Sequence, residues 1–261
     1  MLTNSSLFDV ISTIEMMASA AIVTAVLAFT LSGTVAGRVR AVIVLAIWLA
    51  AVVVLGATGA VGNEHGLGAP GVGLVVLLPV LALGVAFRRV PGARTALAAI
   101  PLWLLIGANG LRVLGFTFLV LYTAHRLPAP FAPLAGWGDI LVGATALPVA
   151  WLAARRGSRA KWPILIWNIV GTFDLIEAVG LGAMSSPGPI QLFTQSPGSA
   201  IMTTLPWILI PCFLVPAFQA LHIAIFYRLS GLVGDRSTAN SGLRNSRSGA
   251  PFPGSAFSAP R

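Results

Sequence analysis

The sequence predicts an all-α membrane protein, a bundle of seven transmembrane helices with its N-terminus outside and its C-terminus cytoplasmic. Three observations lead there. The 261 residues are 57% hydrophobic and only 9% charged, against about 25% charged in an ordinary soluble domain. The apolar residues gather into seven long runs, and the basic residues fall almost entirely on alternate connections between them. A water-facing surface needs interspersed charge, so most of this chain is solvated by lipid, and the mean hydropathy of +0.91 agrees.

A helical pass needs about 20 apolar residues. Runs of that kind cover about residues 10–31, 41–60, 70–87, 97–122, 134–154, 162–183 and 203–227. The third is the shortest. Stretches such as LVVLLPVLALGVAF and AVIVLAIWLAAVVVL are continuously apolar, whereas barrel strands alternate over about ten residues. Residues 1–9 form a short outside N-terminus. They carry no basic leader, so the first apolar run reads as retained rather than cleaved.

Orientation follows from the arginines. Arg38 and Arg40 follow the first run; Arg88, Arg89 and Arg94 follow the third; Arg155, Arg156, Arg159 and Lys161 follow the fifth; Arg228, Arg236, Arg244, Arg247 and Arg261 follow the seventh. Fourteen of the sixteen basic residues thus share one side, and the positive-inside rule makes it cytoplasmic. The net charge of +9 is therefore a topological signal, and nucleic acid has no place among the expected partners, which are the lipid bilayer and a small solute or cation. Residues 231–261, rich in Ser, Gly, Pro and Arg, predict a disordered cytoplasmic tail. The uncharged segment 185–200 (SSPGPIQLFTQSPGSA) predicts an outside linker. Trp137, Trp151 and Trp162 near run ends fit an aromatic belt.

The seventh run holds Pro206, Pro211 and Pro216 at five-residue spacing. Each removes a backbone donor and crowds the carbonyl four residues back, so this helix should be bent or locally unwound.

Ionisable residues within membrane spans are costly and are the default functional candidates. Counting along the spans at about 1.5 Å per residue puts Glu15, Arg112, Asp139, Asp174 and Glu177 between the outer interface and the midplane. Asp174 and Glu177 share a face at a spacing of three, continued by Gly171. Gly136 and Gly143 bracket Asp139, and small residues there admit a close partner helix. Asn109 precedes Arg112 by one turn, giving a polar stripe. Arginine keeps its proton, so Arg112 requires carboxylate partners, with Asp139, Asp174 and Glu177 in reach. Four carboxyls for one guanidinium predict that at least one is protonated or holds a cation. The same residues also fit a plain interhelical clamp. Asn168 and Gln219 read as interhelical hydrogen-bond groups, and His222, placed near the cytoplasmic end of the seventh run, as a packing residue.

No catalytic residue, cofactor or metal is expected. The only lysine, Lys161, lies in a loop, which leaves retinal without a Schiff-base partner; the three histidines do not pair for haem, and the His and Cys ligands of a zinc site are missing. The single cysteine, Cys212, cannot form an internal disulfide.

The stretch 112–151 (RVLGFTFLVLYTAHRLPAPFAPLAGWGDILVGATALPVAW), with WNIVGTFDLIEAVGLG from Trp167, resembles uncharacterised polytopic inner-membrane proteins of bacteria. The resemblance implies a multi-pass protein of the bacterial inner membrane, draws attention to Arg112, Asp139 and Asp174, and brings no activity with it. The resulting expectation is binding or translocation of a small solute, ion or proton at a polar pocket in the outer half of the bundle. A membrane-embedded enzyme acting on a lipid-like substrate, or a non-catalytic assembly subunit, are the alternatives.

Overall fold

The structure of the chain, a computed structural model, describes residues 4–62, 68–89, 95–97 and 99–248. Among them there is no strand. Seven helices are long and apolar enough to cross a membrane, which marks the chain as a multi-pass membrane protein: 7–31, 35–58, 68–85, 102–123, 131–156, 161–184 and 210–231.

Helix α1 (Asn4–Leu31) starts earlier than its apolar run, with Asn4, Ser5 and Ser6 in its first turn. A sharp turn leads into α2 (Val35–Thr58), where the Thr34 hydroxyl caps the helix by accepting from the Gly37 amide at 3.1 Å. Gly59, in the left-handed conformation at φ 68°, stops it. Helix α3 (Gly68–Arg89) carries Pro79 inside it.

The fourth span is interrupted. Its α-helical ends, α4 (Leu102–Gly107) and α5 (Phe116–Thr123), are joined by an eight-residue 3₁₀ segment, Ala108–Gly115. Runs of 3₁₀ helix longer than three or four residues are uncommon. The sequence ANGLRVLG holds two glycines and an asparagine, all poor helix formers. Helix α6 (Phe131–Arg156) packs against this segment with a face of small residues, among them Ala132, Ala135, Gly136, Gly143, Ala146 and Ala150. Without large side chains the two backbones come close.

Helix α7 (Lys161–Met184) leads to a stretch folded back on its own helix end. The Met184 carbonyl accepts from the Leu192 and Phe193 amides, and the Ser199 hydroxyl donates to the Gly182 carbonyl at 2.6 Å. A 3₁₀ turn (Ala200–Thr203) and further turns carry the chain to a π-helical turn, Ile210–Leu214, and then to α8 (Val215–Ser248). The break expected from the three prolines is present in this form. Pro206 lies in the turns before the helix, Pro211 in the π turn and Pro216 in the first turn of α8, where a missing donor costs least. The Val215 amide closes the π turn onto the Ile210 carbonyl, five residues back.

Several boundaries differ from the sequence reading: α1 and α2 start about six residues earlier than their apolar runs and the fourth span five residues later, and two further differences have a plain physical cause. The last span runs 210–231, not 203–227, because the prolines hold its first residues out of the helix. Helix α8 also continues to Ser248, through much of the segment expected to be a disordered tail. Low apolar content argued against a packed core there, but extending an anchored helix needs no new nucleus, and no proline follows Pro216 until Pro251. Residues 249–261 lie outside the described residues.

The seventh span is the centre of the bundle, with 67% of its most apolar window buried against 11% for α2. Ala217, Ala220, Leu221, His222, Ala224 and Ile225 are fully enclosed. At one end, Arg126 after α5 pairs with Asp9 of α1 at 2.7 Å, and its guanidinium lies 5.3 Å from the Trp207 ring centre. That contact ties the starts of the first and last spans to the end of the fourth.

Candidate functional site

Arg112 stands in the middle of the 3₁₀ segment with its side chain 1% exposed. Its guanidinium reaches three other spans. Nε donates to Asp139 Oδ1 of α6 at 2.7 Å, Nη2 donates to Asp174 Oδ2 of α7, and Nη1 donates to the Gly171 carbonyl of α7 at 3.1 Å. Nη1 also lies 3.1 Å from His222 Nε2 of α8. A guanidinium has no acceptor, so this last contact fixes the state of the imidazole. Nε2 must accept, the ring is neutral, and its proton sits on Nδ1, which donates to Asn168 Oδ1 at 2.8 Å. The Asn168 amide nitrogen in turn donates to the His222 carbonyl at 3.1 Å. One arginine thus joins the fourth, fifth, sixth and seventh spans through a continuous polar chain.

Missing side chains make room for it. An added Cβ on Gly143 would overlap the Val113 amide nitrogen, so α6 lies against the backbone of the 3₁₀ segment at the arginine itself. On Gly138 it would overlap Asp174 Oδ1, on Gly115 the Asp139 side chain, and on Gly171 it would come within 2.8 Å of His222 Nε2. Asp139, Asp174 and His222 each occupy space that a glycine leaves free.

The trio carries one positive and two negative charges when both carboxyls are ionised. Neither acid is fully sealed: the side chains of Asp139 and Asp174 are 17% and 11% exposed. Asp139 and Arg112 face a pocket of about 480 Å³, counted to its open mouth, that lies between α1, the fourth span, α6 and the seventh span. Glu15 and Ser19 of α1 line the same pocket. The Thr117 hydroxyl donates towards the Glu15 carboxylate, 3.3 Å from Oε2. Both irregular segments form its walls, the 3₁₀ turn through Leu111, Arg112 and Leu114 and the π turn through Ile210 and Leu214.

The residues expected to form the site therefore divide. Arg112, Asp139 and Asp174 meet directly, and Glu15 shares the pocket with Arg112 and Asp139. Glu177 lies one turn beyond Asp174, half-buried, with no hydrogen bond or ion pair among the described residues. Asn109, fully buried, turns its amide nitrogen back to the Leu105 carbonyl at 3.1 Å, a local backbone bond open to short polar side chains in a helix. It does not join the arginine. Among the described residues no three His, Cys, Asp or Glu side chains gather as a metal site.

His222 and Asn168 belong to the network and were read from sequence as packing and hydrogen-bonding groups only. Starting the last span at 203 put His222 near its end; with the span at 210–231 it lies at the middle, level with Arg112. A signal for Asn168 was present in its spacing, since 168, 171 and 174 recur every third residue on one face of α7.

A family model described as a domain of unknown function, DUF8737, matches residues 69–230. The match takes in the whole Arg112 network and leaves α1, with Glu15, and α2 outside it. No curated protein and no solved structure matches the chain.

Proposed function

Given that the chain belongs to the DUF8737 family and has seven apolar spans, we propose that it binds or moves a proton or small cationic solute at the pocket lined by Glu15, Arg112 and Asp139. The observation that carries this reading is an imbalance of charge. Arg112 is shared between two carboxylates, and a third, the half-buried Glu15, faces the same pocket with a hydroxyl as its one hydrogen-bond donor among the described residues. Burying unpaired carboxylate is expensive, so the excess negative charge is met by a proton or a cation. His222, held neutral, adds no positive charge. Asp139 is the acid through which the arginine senses occupancy, because it touches both the guanidinium and the pocket.

The membrane is proposed to be the bacterial inner membrane, with the N-terminus outside. The distribution of basic residues supports the orientation, and the sequence resemblance noted above supports the membrane. In that orientation the pocket lies in the outer half of the bundle.

The test is uptake into vesicles. The full chain is reconstituted into liposomes carrying an internal pH dye, and a pH step is applied with and without small amine solutes. Flux above that of protein-free vesicles, lost in Asp139→Asn and Glu15→Gln, is expected. Flux equal to that of empty vesicles under every gradient would exclude translocation, and no binding of protons or small cations by the purified chain besides would exclude the reading.

A further inference from the structure

A second cavity, about 600 Å³ counted to its mouth, lies beside the acidic pocket between α3, α7 and the π turn. The two share three wall residues, Phe118, Ile210 and Val215. The Phe118 ring is part of both walls, and it packs edge-on against Phe131 at 5.6 Å. Voids between packed side chains rarely exceed a water molecule, and this cavity, open at its mouth, holds more than that.

The chemistry of the second cavity differs from that of the first. Its walls are mostly Ala, Gly, Val, Ile, Phe and Met side chains, without a charged group. Two of its three hydroxyls are already engaged by backbone carbonyls, Ser199 with Gly182 at 2.6 Å and Thr203 with Ala200 at 2.8 Å. The third belongs to Ser186, which also has a partner within the protein. An occupant thus meets hydrocarbon here and carboxylates on the far side of Phe118.

We infer that the ligand is a single-chain amphiphile with a protonated nitrogen head, its head at Glu15 and Asp139 and its hydrocarbon chain in the cavity beyond Phe118. This rests on the proposed function and narrows it to a substrate class. The amine replaces the missing positive charge and can donate hydrogen bonds to the carboxylates. The chain fills a space that offers no polar contact.

The test uses n-alkylammonium ions from propyl to decyl, titrated calorimetrically into the full chain in zwitterionic nanodiscs, with empty nanodiscs subtracted and alkyl sulfates as matched anions. Affinity should rise about fourfold per methylene over the first members, the increment for burying one CH₂, and then level off once the cavity is full. Glu15→Gln should weaken every member alike, while Val72→Trp, which fills the cavity from α3, should flatten the dependence on length and spare the shortest ions. The series on the unsubstituted chain decides the matter even where a variant fails to fold. Affinity independent of chain length, or alkyl sulfates binding as tightly as the amines, would overturn the inference. If short cations bind, or protons move, without any effect of length, the inference falls and the proposed function stands. If no cation of any length binds and the vesicles carry no flux, the proposed function fails as well.

Discussion

Four glycines set the geometry of the Arg112 network, and they do so unequally. Gly143 faces backbone: a methyl there meets the Val113 amide nitrogen and the Arg112 carbonyl carbon, neither of which can rotate away. Gly110 lies in the same 3₁₀ segment, yet the nearest atoms to its added Cβ are those of Leu147 at 3.8 and 3.9 Å. Gly143→Ala should therefore destabilise the protein by about 1–3 kcal/mol or more, the usual cost of overpacking, while Gly110→Ala should be neutral. Thermal unfolding in one detergent compares the two. Much of this site could be read in the sequence, because buried charge in a membrane span is rare and Arg112, Asp139 and Asp174 stand out against apolar neighbours. Asn109 shows the limit of that reading. Spacing placed it one turn from Arg112, but spacing carries no information on which backbone carbonyl a short amide reaches. The tautomer of His222 lay further from view, since it depends on a partner 110 residues away in the chain.

At the scale of the elements, each span shows a different fraction of itself to lipid, and hydropathy alone does not report it. Helix α2 has the highest mean hydropathy of the seven, 2.7, and is the least buried; the seventh span, at 1.7, is the most buried. The reason is physical. Lipid rewards apolar side chains as well as a protein core does, so the outermost helix is the most uniformly apolar, whereas the central helix carries small and polar residues that let neighbours close on it. Ala217, fully enclosed, should tolerate no enlargement, and Ala217→Leu is expected to cost about 1–3 kcal/mol. Ile47 is 64% exposed on α2, and Ile47→Ala should leave unfolding unchanged. The two interruptions, 3₁₀ in the fourth span and π in the seventh, both border the acidic pocket, and such turns inside helices are frequent at functional sites. The prolines announced the second; the first, spread over ANGLRVLG without a proline, left only its glycines as a trace.

For the whole molecule, the odd number of spans separates the ends of the bundle. Asp9, Arg126 and Trp207 meet at one end, and the chain order puts Arg38, Arg155 and Arg159 at the other. Cys212 is the single cysteine and is buried, so the unsubstituted chain is a silent background for thiol labelling. A membrane-impermeant maleimide applied to intact cells should label Thr194→Cys in the segment after α7. It should label Arg159→Cys, between α6 and α7, only after the membrane is opened; the reverse pattern would invert the topology. The seven spans were legible because continuous apolar runs have few alternative explanations. The helix reaching Ser248 was not, since composition measures the capacity to form a core and says little about how far an anchored helix extends.

The most direct test of whether the Arg112 network is a site as well as a clamp is to replace its charges with hydrocarbon. Buried ion triads can often be exchanged for apolar side chains of similar volume without loss of stability, so Arg112→Met combined with Asp139→Leu and Asp174→Leu should unfold near the temperature of the unsubstituted protein. Uptake of protons or small amines by vesicles containing that variant is the measurement. Flux reduced to the level of protein-free vesicles, in a protein that remains folded, is the expected result; undiminished flux in the apolar variant would contradict it and leave the arginine a clamp alone.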